Sequence, residues 1–223
     1  MWDLSKHERL EVELLEGLNS RKVLDHLIFC GGTMLRLCHE LNRYSVDLDF
    51  WLLNKEYTAN IFKETKKYLA ENYRLKKAAN RKEGLVFEFA ARGYPRSLKI
   101  EIRKQKAKIR HEGKIAFSKH NPIQIMVKAA TLDEMMKAKV ETFLDRVQIR
   151  DVFDIEFLLK RGVKIIASRK ELLEIQKLIT KFKTKDYKVA LGSLLDFKER
   201  QYYKQANFRF LLNHINAILQ KES

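Results

Sequence analysis

Leucines recur at helical spacing near the amino terminus, at positions 10, 14, 15 and 18. One apolar stripe on an otherwise charged segment is typical of an amphipathic surface helix. The β-prone run HLIFC follows and ends at Gly31 and Gly32. The next segment, TMLRLCHELN, has helical periodicity, and VDLDFWLL has the composition of a strand. The pattern therefore predicts the order helix, strand, glycine turn, helix, strand.

Further strands are predicted after the segment KEYTANIFKETKKYLAENY, which itself predicts a helix with a charged outer face. Apolar and polar residues alternate in GLVFEFAA and again in SLKIEIRKQ. The turn signals of RGYPR separate these two runs, so we expect a hairpin. GKIAFS indicates a weaker strand.

Helical periodicity replaces alternation from Pro122 onward, almost without interruption. We therefore place a domain boundary near residue 120. The expected architecture is an α/β (α+β) domain over residues 1–120 with a small mixed sheet, followed by an all-α helical bundle over residues 121–223. The predicted helices of this second domain cover about 131–147, 151–161, 168–182, 186–199 and 201–220.

Charge and cysteine usage narrow the class of protein. The chain has 45 lysines and arginines against 29 aspartates and glutamates, a formal net charge of +16. Such a surface attracts a polyanion such as nucleic acid, although a merely lysine-rich surface has the same balance. Cys30 and Cys38 match no zinc or redox spacing and suit reduced core thiols. Because the amino terminus is charged from its third residue and no apolar run approaches transmembrane length, we expect a soluble cytoplasmic protein with no membrane partner.

Two aspartates, Asp47 and Asp49, stand one residue apart in the predicted strand VDLDFWLL. Successive strand residues face opposite sides, so the two carboxylates share one face while Leu48 points into the core. Their separation of roughly 6.6 Å along the strand lets them converge on one or two cations. Hard oxygen ligands suit Mg²⁺ or Mn²⁺. The other interpretation is an edge strand with two solvated acids.

Gly31 and Gly32 lie where a strand ends and a helix begins. Backbone N–H groups at such a helix terminus can receive a phosphate, with the Thr33 hydroxyl as an added donor, although a tight turn alone would need the same glycines. The pair is not a Walker A loop, because no GKS or GKT follows, and it lacks the spaced glycines of a dinucleotide fold. A phosphate site beside a metal-binding DxD would suit transfer of a nucleotidyl group.

The combination of GGTMLRL and RYSVDLDF resembles the signature of the polymerase-β-type nucleotidyltransferase superfamily, in the form found in the AbiEii/AbiGii toxin family. The resemblance implies a nucleotidyltransferase fold and a third metal-binding carboxylate on a later strand, a place that Glu101 in SLKIEIR matches. A surface position on that strand is the other interpretation of Glu101. It also implies that Ser45, just before DxD, contacts the substrate or stabilises a turn. Arg43 is a further candidate for phosphate binding, and so is Arg36, for which a solvated surface position is the other interpretation.

The family also carries a lysine and then an RDxxD segment in its helical part, and MKAKVETFLDRVQIRDVFDIEFLL resembles that region. Lys139 matches the lysine, and Asp151 and Asp154 match the aspartates of the second motif. Helical spacing independently places Lys139 in an apolar stripe, where its ammonium needs an anion. It also turns Asp154 inward, away from Glu156, and gives Asp151 the position of a helix cap.

The implied role of Lys139 is to bind the triphosphate and offset charge on the leaving pyrophosphate, while Asp154 fixes the lysine or orders the base and ribose. A snorkelling lysine and an ion-paired aspartate are the alternatives. We expect the active site in the cleft where Lys139 and Asp154 face Asp47 and Asp49.

The resemblance implies metal-dependent transfer of a nucleoside monophosphate from a nucleoside triphosphate (NTP) to RNA. The implied acceptor is the 3′ end of tRNA, and the protein would be the toxin of a bacterial toxin-antitoxin or abortive-infection system, neutralised by a cognate antitoxin. Two other classes would use the same residues. A protein-modifying nucleotidyltransferase would transfer to a hydroxyl on a protein, and a catalytically silent nucleotide- or RNA-binding protein would show no turnover.

Overall fold

The protein, represented by a computed structural model, is described for residues 3–94, 96–104 and 108–221. It divides into two compact units, Met1–Thr131 and Leu132–Ser223. The division follows Thr131 and not residue 120, because Asn121–Ala130 forms a strand of the sheet in the first unit. Pro95 of the predicted turn and Gln105 at the end of a predicted strand lie outside the described residues.

The first unit combines helices with a seven-stranded mixed sheet, in agreement with the expected α/β class. The predicted order of helix, strand, glycine turn, helix and strand is confirmed at its start. Its elements are α1 (Leu4–Ser20), β1 (Leu27–Cys30), α2 (Gly31–His39), β2 (Asp47–Leu52), α3 (Thr58–Asn72), β3 (Arg74–Asn80), β4 (Gly84–Ala90), β5 (Leu98–Arg103), β6 (His111–Ser118) and β7 (Asn121–Ala130).

The described part of the second unit is helical. Its elements are α4 (Leu132–Arg146), α5 (Ile149–Lys160), α6 (Arg169–Ile179), a π-helical segment (Asp186–Leu191), α7 (Phe197–Ala206) and α8 (Arg209–Lys221). Where one long helix over 186–199 was predicted, the chain is π-helical over Asp186–Leu191 and 3₁₀-helical over Gly192–Leu194, and α7 begins only at Phe197. Among the described residues, no helix combines the length and the apolar character needed to cross a membrane.

The strand β2 lies in the middle of the sheet, whose order is β3-β4-β5-β2-β1-β7-β6. It pairs with β1 in antiparallel and with β5 in parallel orientation. Leu48 and Phe50 of β2 are buried, and the Phe50 ring stacks on Phe29 of β1 at 5.1 Å between centroids. Alternation therefore leaves the residues between them, Asp47 and Asp49, on the opposite face of the sheet.

The strand β7 corrects the prediction that the pattern becomes helical from Pro122 onward. Ile125, Val127 and Ala129 are buried, whereas Met126 between them is 64% exposed. A period of two of this kind belongs to a strand that is covered on one face. Since β7 pairs with both β1 and β6, the pairing stabilises an extended backbone in a segment whose Met, Lys and Ala residues also suit a helix.

The helix α5 is buried on nearly all sides, which corrects the expectation that Glu156 faces away from the core. Glu156 is fully buried. Its carboxylate accepts hydrogen bonds from Lys160 Nζ and from the Tyr203 hydroxyl, each at 2.8 Å, and from the backbone N–H of Leu211 at 3.1 Å. These contacts tie α5 to α7 and α8.

Candidate active site

Asp47 and Asp49 lie on one face of β2 and are half-buried, while Leu48 between them is fully buried. Asp49 stands between Cys30 of β1 and Glu101 of β5 in the register of the sheet. Asp47 stands opposite Lys99 of β5. Because β2 is held by hydrogen bonds on both sides, the two carboxylates project from a fixed backbone.

Glu101 lies beside Asp49, on the neighbouring parallel strand. Its carboxylate forms an ion pair with Lys99, two residues earlier on the same face. This hydrogen bond raises the pKa of Lys99, and the charges of Asp47 and Asp49 act in the same direction. Lys99 is therefore a cation within reach of all three carboxylates. The sequence interpretation missed it, although a spacing of two from Glu101 in a strand was a usable signal.

The ion pair between Lys99 and Glu101 competes with metal binding by Glu101. Within the described ranges, no group of three His, Cys, Asp or Glu side chains is arranged to hold a metal ion. Asp47, Asp49 and Glu101 still supply hard oxygen donors of the kind that Mg²⁺ or Mn²⁺ prefers, from one face of two adjacent strands. For Glu101 to join the two aspartates around a cation, its ion pair with Lys99 has to open.

The amino terminus of α2 meets this carboxylate face at Gly31. Gly31 has φ +79°, and a Cβ atom built on it would collide with the Asp49 side chain. A Cβ atom on Gly32 would lie 2.6 Å from Arg43 Nη2 and 2.8 Å from Ser45 Oγ. The structure thus brings Gly31, Gly32, Arg43, Ser45 and Asp49 together around a helix terminus whose first N–H groups have no partner within the helix.

Thr33 departs from its predicted role as a phosphate donor. Its side chain is fully buried, and its hydroxyl donates to the backbone carbonyl of Asp47 at 2.5 Å. Thr33 therefore anchors the start of β2 to α2. Arg36 is also not a solvated arginine, because its Nε donates to the buried carboxylate of Glu8 at 2.8 Å and its guanidinium stacks on the Tyr44 ring.

Replacing Gly31 with alanine is expected to strain the backbone and to displace the Asp49 carboxylate. The left-handed backbone costs a residue with a Cβ about 1–2 kcal/mol, and the clash with Asp49 adds to it. Gly162→Ala is the matched control, since Gly162 has φ +83° and nothing within 4 Å of its added Cβ. Thermal midpoints should fall in both variants, whereas nucleotidyl transfer should fall only in Gly31→Ala. If a folded Gly31→Ala protein transferred nucleotides at the rate of the parent, Gly31 would have no role in the site.

Buried titratable groups of α1 lie next to the start of β2. His7 Nε2 donates to the carbonyl of Val46 at 3.0 Å, and burial lowers the pKa of His7. Glu11 is 1% exposed, and neither of its carboxylate oxygens has a hydrogen-bond partner among the residues that the structure describes. Burial raises the pKa of Glu11 well above its ordinary value, and the charges of Glu8 and Asp47 add to the effect.

Glu11→Gln is expected to remove a pH dependence of stability. An unfolded Glu11 loses its proton near pH 4.5, whereas the folded protein keeps that proton to higher pH. The folded state then binds more protons than the unfolded state, so the free energy of unfolding falls as pH rises through this window. Thermal unfolding at pH 4 and pH 8 should show Glu11→Gln more stable than the parent at pH 8 only, by about 1–3 kcal/mol. Glu16→Gln, on the exposed face of the same helix, should match the parent at both values.

Lys139 and Asp154 are paired inside the second unit. Lys139 is 8% exposed, and its Nζ lies 2.6 Å from Asp154 Oδ2 and 3.4 Å from Asp151 Oδ1. Asp154 is fully buried, as its helical position predicts. Asp154 was predicted either to fix the lysine or to order the base and ribose. This geometry favours the first role, in which its carboxylate holds the Lys139 ammonium. Lys137, the neighbouring lysine, has a side chain that is 42% exposed and lies 4.0 Å from Glu134.

Asp151 is not the cap of α5, which corrects its predicted role. The residue at the cap position is Gln148, and Asp151 lies inside the first turn. The Asp151 carboxylate accepts two hydrogen bonds of 2.8 Å from the guanidinium of Arg146. The predicted catalytic residues thus form two groups, with Asp47, Asp49 and Glu101 in the first unit and the pair of Lys139 and Asp154 in the second.

Comparisons with known proteins found a family model and solved structures that are similar to this chain. The model of the family described as nucleotidyl transferase AbiEii toxin, type IV toxin-antitoxin system, matches residues 13–221. The crystal structure of JHP933 from Helicobacter pylori has 19% sequence identity and a TM-score of 0.59, covering 98% of this chain and 95% of that chain. MenT4, the nucleotidyltransferase toxin Rv2826c from Mycobacterium tuberculosis H37Rv, has 14% identity and a TM-score of 0.52, with 97% of each chain covered.

At these identities the solved structures establish a shared fold, and the comparison with curated proteins gave no match. The match to the family model is the stronger evidence for family membership, because it spans nearly the whole chain. It includes the strand with Asp47 and Asp49, the strand with Glu101 and both helices that hold Lys139 and Asp154. The protein therefore belongs to the AbiEii nucleotidyl transferase toxin family and is a nucleotidyltransferase.

Proposed function

We propose that the protein transfers a nucleoside monophosphate from an NTP to the 3′ end of tRNA in a metal-dependent reaction. It acts in the cytoplasm as the toxin of a bacterial toxin-antitoxin or abortive-infection system with a cognate antitoxin. The observation that carries the proposal is the arrangement of Asp47, Asp49 and Glu101 on one sheet face beside the amino terminus of α2. The net charge of +16 supports a polyanionic acceptor.

The proposed reaction is an in-line displacement at the α-phosphorus. The 3′ oxygen of the acceptor attacks, the bond from the α-phosphorus to the oxygen that bridges to the β-phosphate breaks, and pyrophosphate leaves with the electron pair. The proton of the acceptor hydroxyl passes to Glu101, whose side chain is 29% exposed. Asp47, Asp49 and Glu101 would hold Mg²⁺ or Mn²⁺, which when bound supplies charge neutralisation at the triphosphate and activates the hydroxyl.

The triphosphate is proposed to lie at the amino terminus of α2. Backbone N–H groups of Gly31 and Gly32 point out of the first turn, and the absence of a Cβ leaves room for a close approach. Arg43 and Ser45 lie against Gly32 and can add a charged and a neutral donor. That Lys139 also binds the triphosphate stays a prediction, as does the placement of all these residues in one cleft.

The test is incubation of the purified protein with Mg²⁺ and each α-labelled NTP, in the presence of tRNA or of a protein extract. Label on tRNA is expected, and it should disappear when the tRNA has been oxidised with periodate, because oxidation destroys the 3′ hydroxyl. The nucleotide that gives label identifies the base preference. Label on protein in place of RNA would overturn the proposal in favour of a protein-modifying enzyme, and label nowhere would favour a silent binding protein.

A further inference from the structure

A cavity of about 500 Å³ lies in the first unit, at the end of the sheet where β3 and β5 begin and β4 ends. Four of the residues that line it are basic: Arg74, Lys76, Arg92 and Arg96. No aspartate or glutamate is among the described residues of its lining, which otherwise includes Tyr73 and Ser97. One acid lies next to the lining, because the Tyr94 hydroxyl donates to the Glu13 carboxylate at 3.0 Å. The cavity still brings four basic side chains together in one concave surface.

Two of the four basic side chains of this cavity are not neutralised by the described part of the protein itself. Among the residues that the structure describes, the guanidinium groups of Arg74 and Arg92 have no ion-pair partner. Lys76 donates to the neutral hydroxyl of Ser97 at 2.5 Å. By contrast, Arg21 of the same unit pairs with Glu71 at 2.7 Å. Mutual repulsion of unneutralised cations around one cavity is relieved when an anion binds there.

The cavity and the DxD motif share one end of the sheet. In the register, Asp47 stands opposite Lys99, Leu98 opposite Phe89, and Ala90 opposite Arg74. At about 4.8 Å between neighbouring strands, β4 and β3 lie roughly 10–15 Å from β2. The electrostatics agree: after burial and the hydrogen bond to Val46, the pKa of His7 responds to Arg96, which lowers it, and to Asp47, which raises it.

We propose that this basic cavity binds backbone phosphates of the RNA acceptor, a few nucleotides from the end that reacts. The inference rests on the proposed function, because it takes RNA as the acceptor. A row of phosphodiesters is the ligand that matches several guanidinium groups within one cavity, and Arg pairs with phosphate through two parallel hydrogen bonds. The cavity would thereby set the path of the strand, while the carboxylates act on its last nucleotide.

The variant that tests the cavity is Arg74→Ala/Arg92→Ala, since these side chains have no ion pair to lose among the described residues. Lys63→Ala/Lys67→Ala removes two charges from the exposed side of α3 and serves as the matched control. Fluorescence anisotropy of end-labelled tRNA, measured between 50 and 200 mM salt, should show at least about tenfold weaker binding by the cavity variant. Its salt slope should be shallower by about 1.4, the contribution of two single-stranded phosphates.

The outcomes separate this inference from the proposed function. Binding of a fluorescent NTP should be unchanged in the cavity variant. Loss of NTP binding with retained RNA affinity would overturn the assignment and give the cavity to nucleotide phosphates. Equal affinity of the cavity and control variants for RNA, no RNA binding by the parent, or equal competition by polyglutamate would each overturn it as well. If the parent binds RNA and does not label it, the proposed transfer reaction is wrong. The role of the cavity in RNA binding is then still tested by the RNA affinities of the two variants.

Discussion

Asp49→Asn is expected to reduce nucleotidyl transfer by roughly a hundred- to a thousandfold or more, the cost of losing a charged group that acts at the reacting phosphate. The amide keeps the shape of the side chain and removes its charge. Because Asp49 is half-buried next to Glu101 and Asp47, relief of repulsion among these carboxylates should leave the thermal midpoint equal to or above that of the parent. Initial rates with α-labelled NTP and tRNA, measured beside thermal unfolding, give both quantities.

The matched control for Asp49→Asn is Glu88→Gln. Glu88 stands opposite Lys99 on β4, so its carboxylate belongs to the same sheet face without being one of the predicted ligands. Its variant should retain transfer within a few-fold of the parent. Similar losses in both variants would mean that general charge on this face matters, and parental activity of Asp49→Asn would remove the carboxylate mechanism.

Lys139→Met is expected to destabilise the second unit by about 3–5 kcal/mol, the typical cost of leaving a buried charge without its partner. The substitution removes the ammonium that lies 2.6 Å from the buried Asp154 carboxylate. Denaturant unfolding followed by circular dichroism measures the change. Lys137→Met, which removes a half-exposed lysine two residues away, should change stability by less than about 1 kcal/mol. A small effect of Lys139→Met would show that the pair contributes little to folding.

A structural role and a role in catalysis can be separated at Lys139. The double variant Lys139→Met/Asp154→Asn removes both charges, keeps an amide for the remaining partners of residue 154, and should recover much of the lost stability. If Lys139 binds the triphosphate, this folded double variant still has a raised KM for NTP and a reduced kcat. Parental kinetics in the double variant would assign Lys139 to stability alone.

The fold was predictable where burial follows a simple period, and not where pairing overrides composition. β2 was predicted from the strand-like composition of VDLDFWLL, in which Asp47 and Asp49 alternate with the buried Leu48 and Phe50. β3 was not, since RLKKAAN contains residues that are uncommon in strands, and its extended backbone is stabilised by the ladder with β4. β7 carried a period of two from Ile123 to Ala129, but its Met, Lys and Ala residues also suited the helices that follow. The pattern of burial, seen only in the fold, distinguishes the two.

The candidate site was predictable where its geometry depends on residues that are close together in the sequence. Asp47 and Asp49 share a face because they are two apart, and the burial of Lys139 and Asp154 follows from helical angles. Contacts between distant segments could not be obtained this way. The hydroxyl of Thr33 reaches the Asp47 carbonyl, and Glu156 is buried because α7 and α8 cover the side of α5 that was expected to be solvated.

The central position of β2 links correct folding of the protein to formation of its active site. A slip of one residue against β1 and β5 would turn Asp47 and Asp49 into the core and expose Leu48 and Phe50. Burial of two unpaired carboxylates costs far more than a marginally stable domain can tolerate. Correct folding therefore also ensures a correctly assembled DxD motif, because only the register that buries the apolar residues places the carboxylates on the opposite face of the sheet. An inactive fraction in a preparation should accordingly consist of unfolded or aggregated chains, and not of folded molecules with a misassembled site.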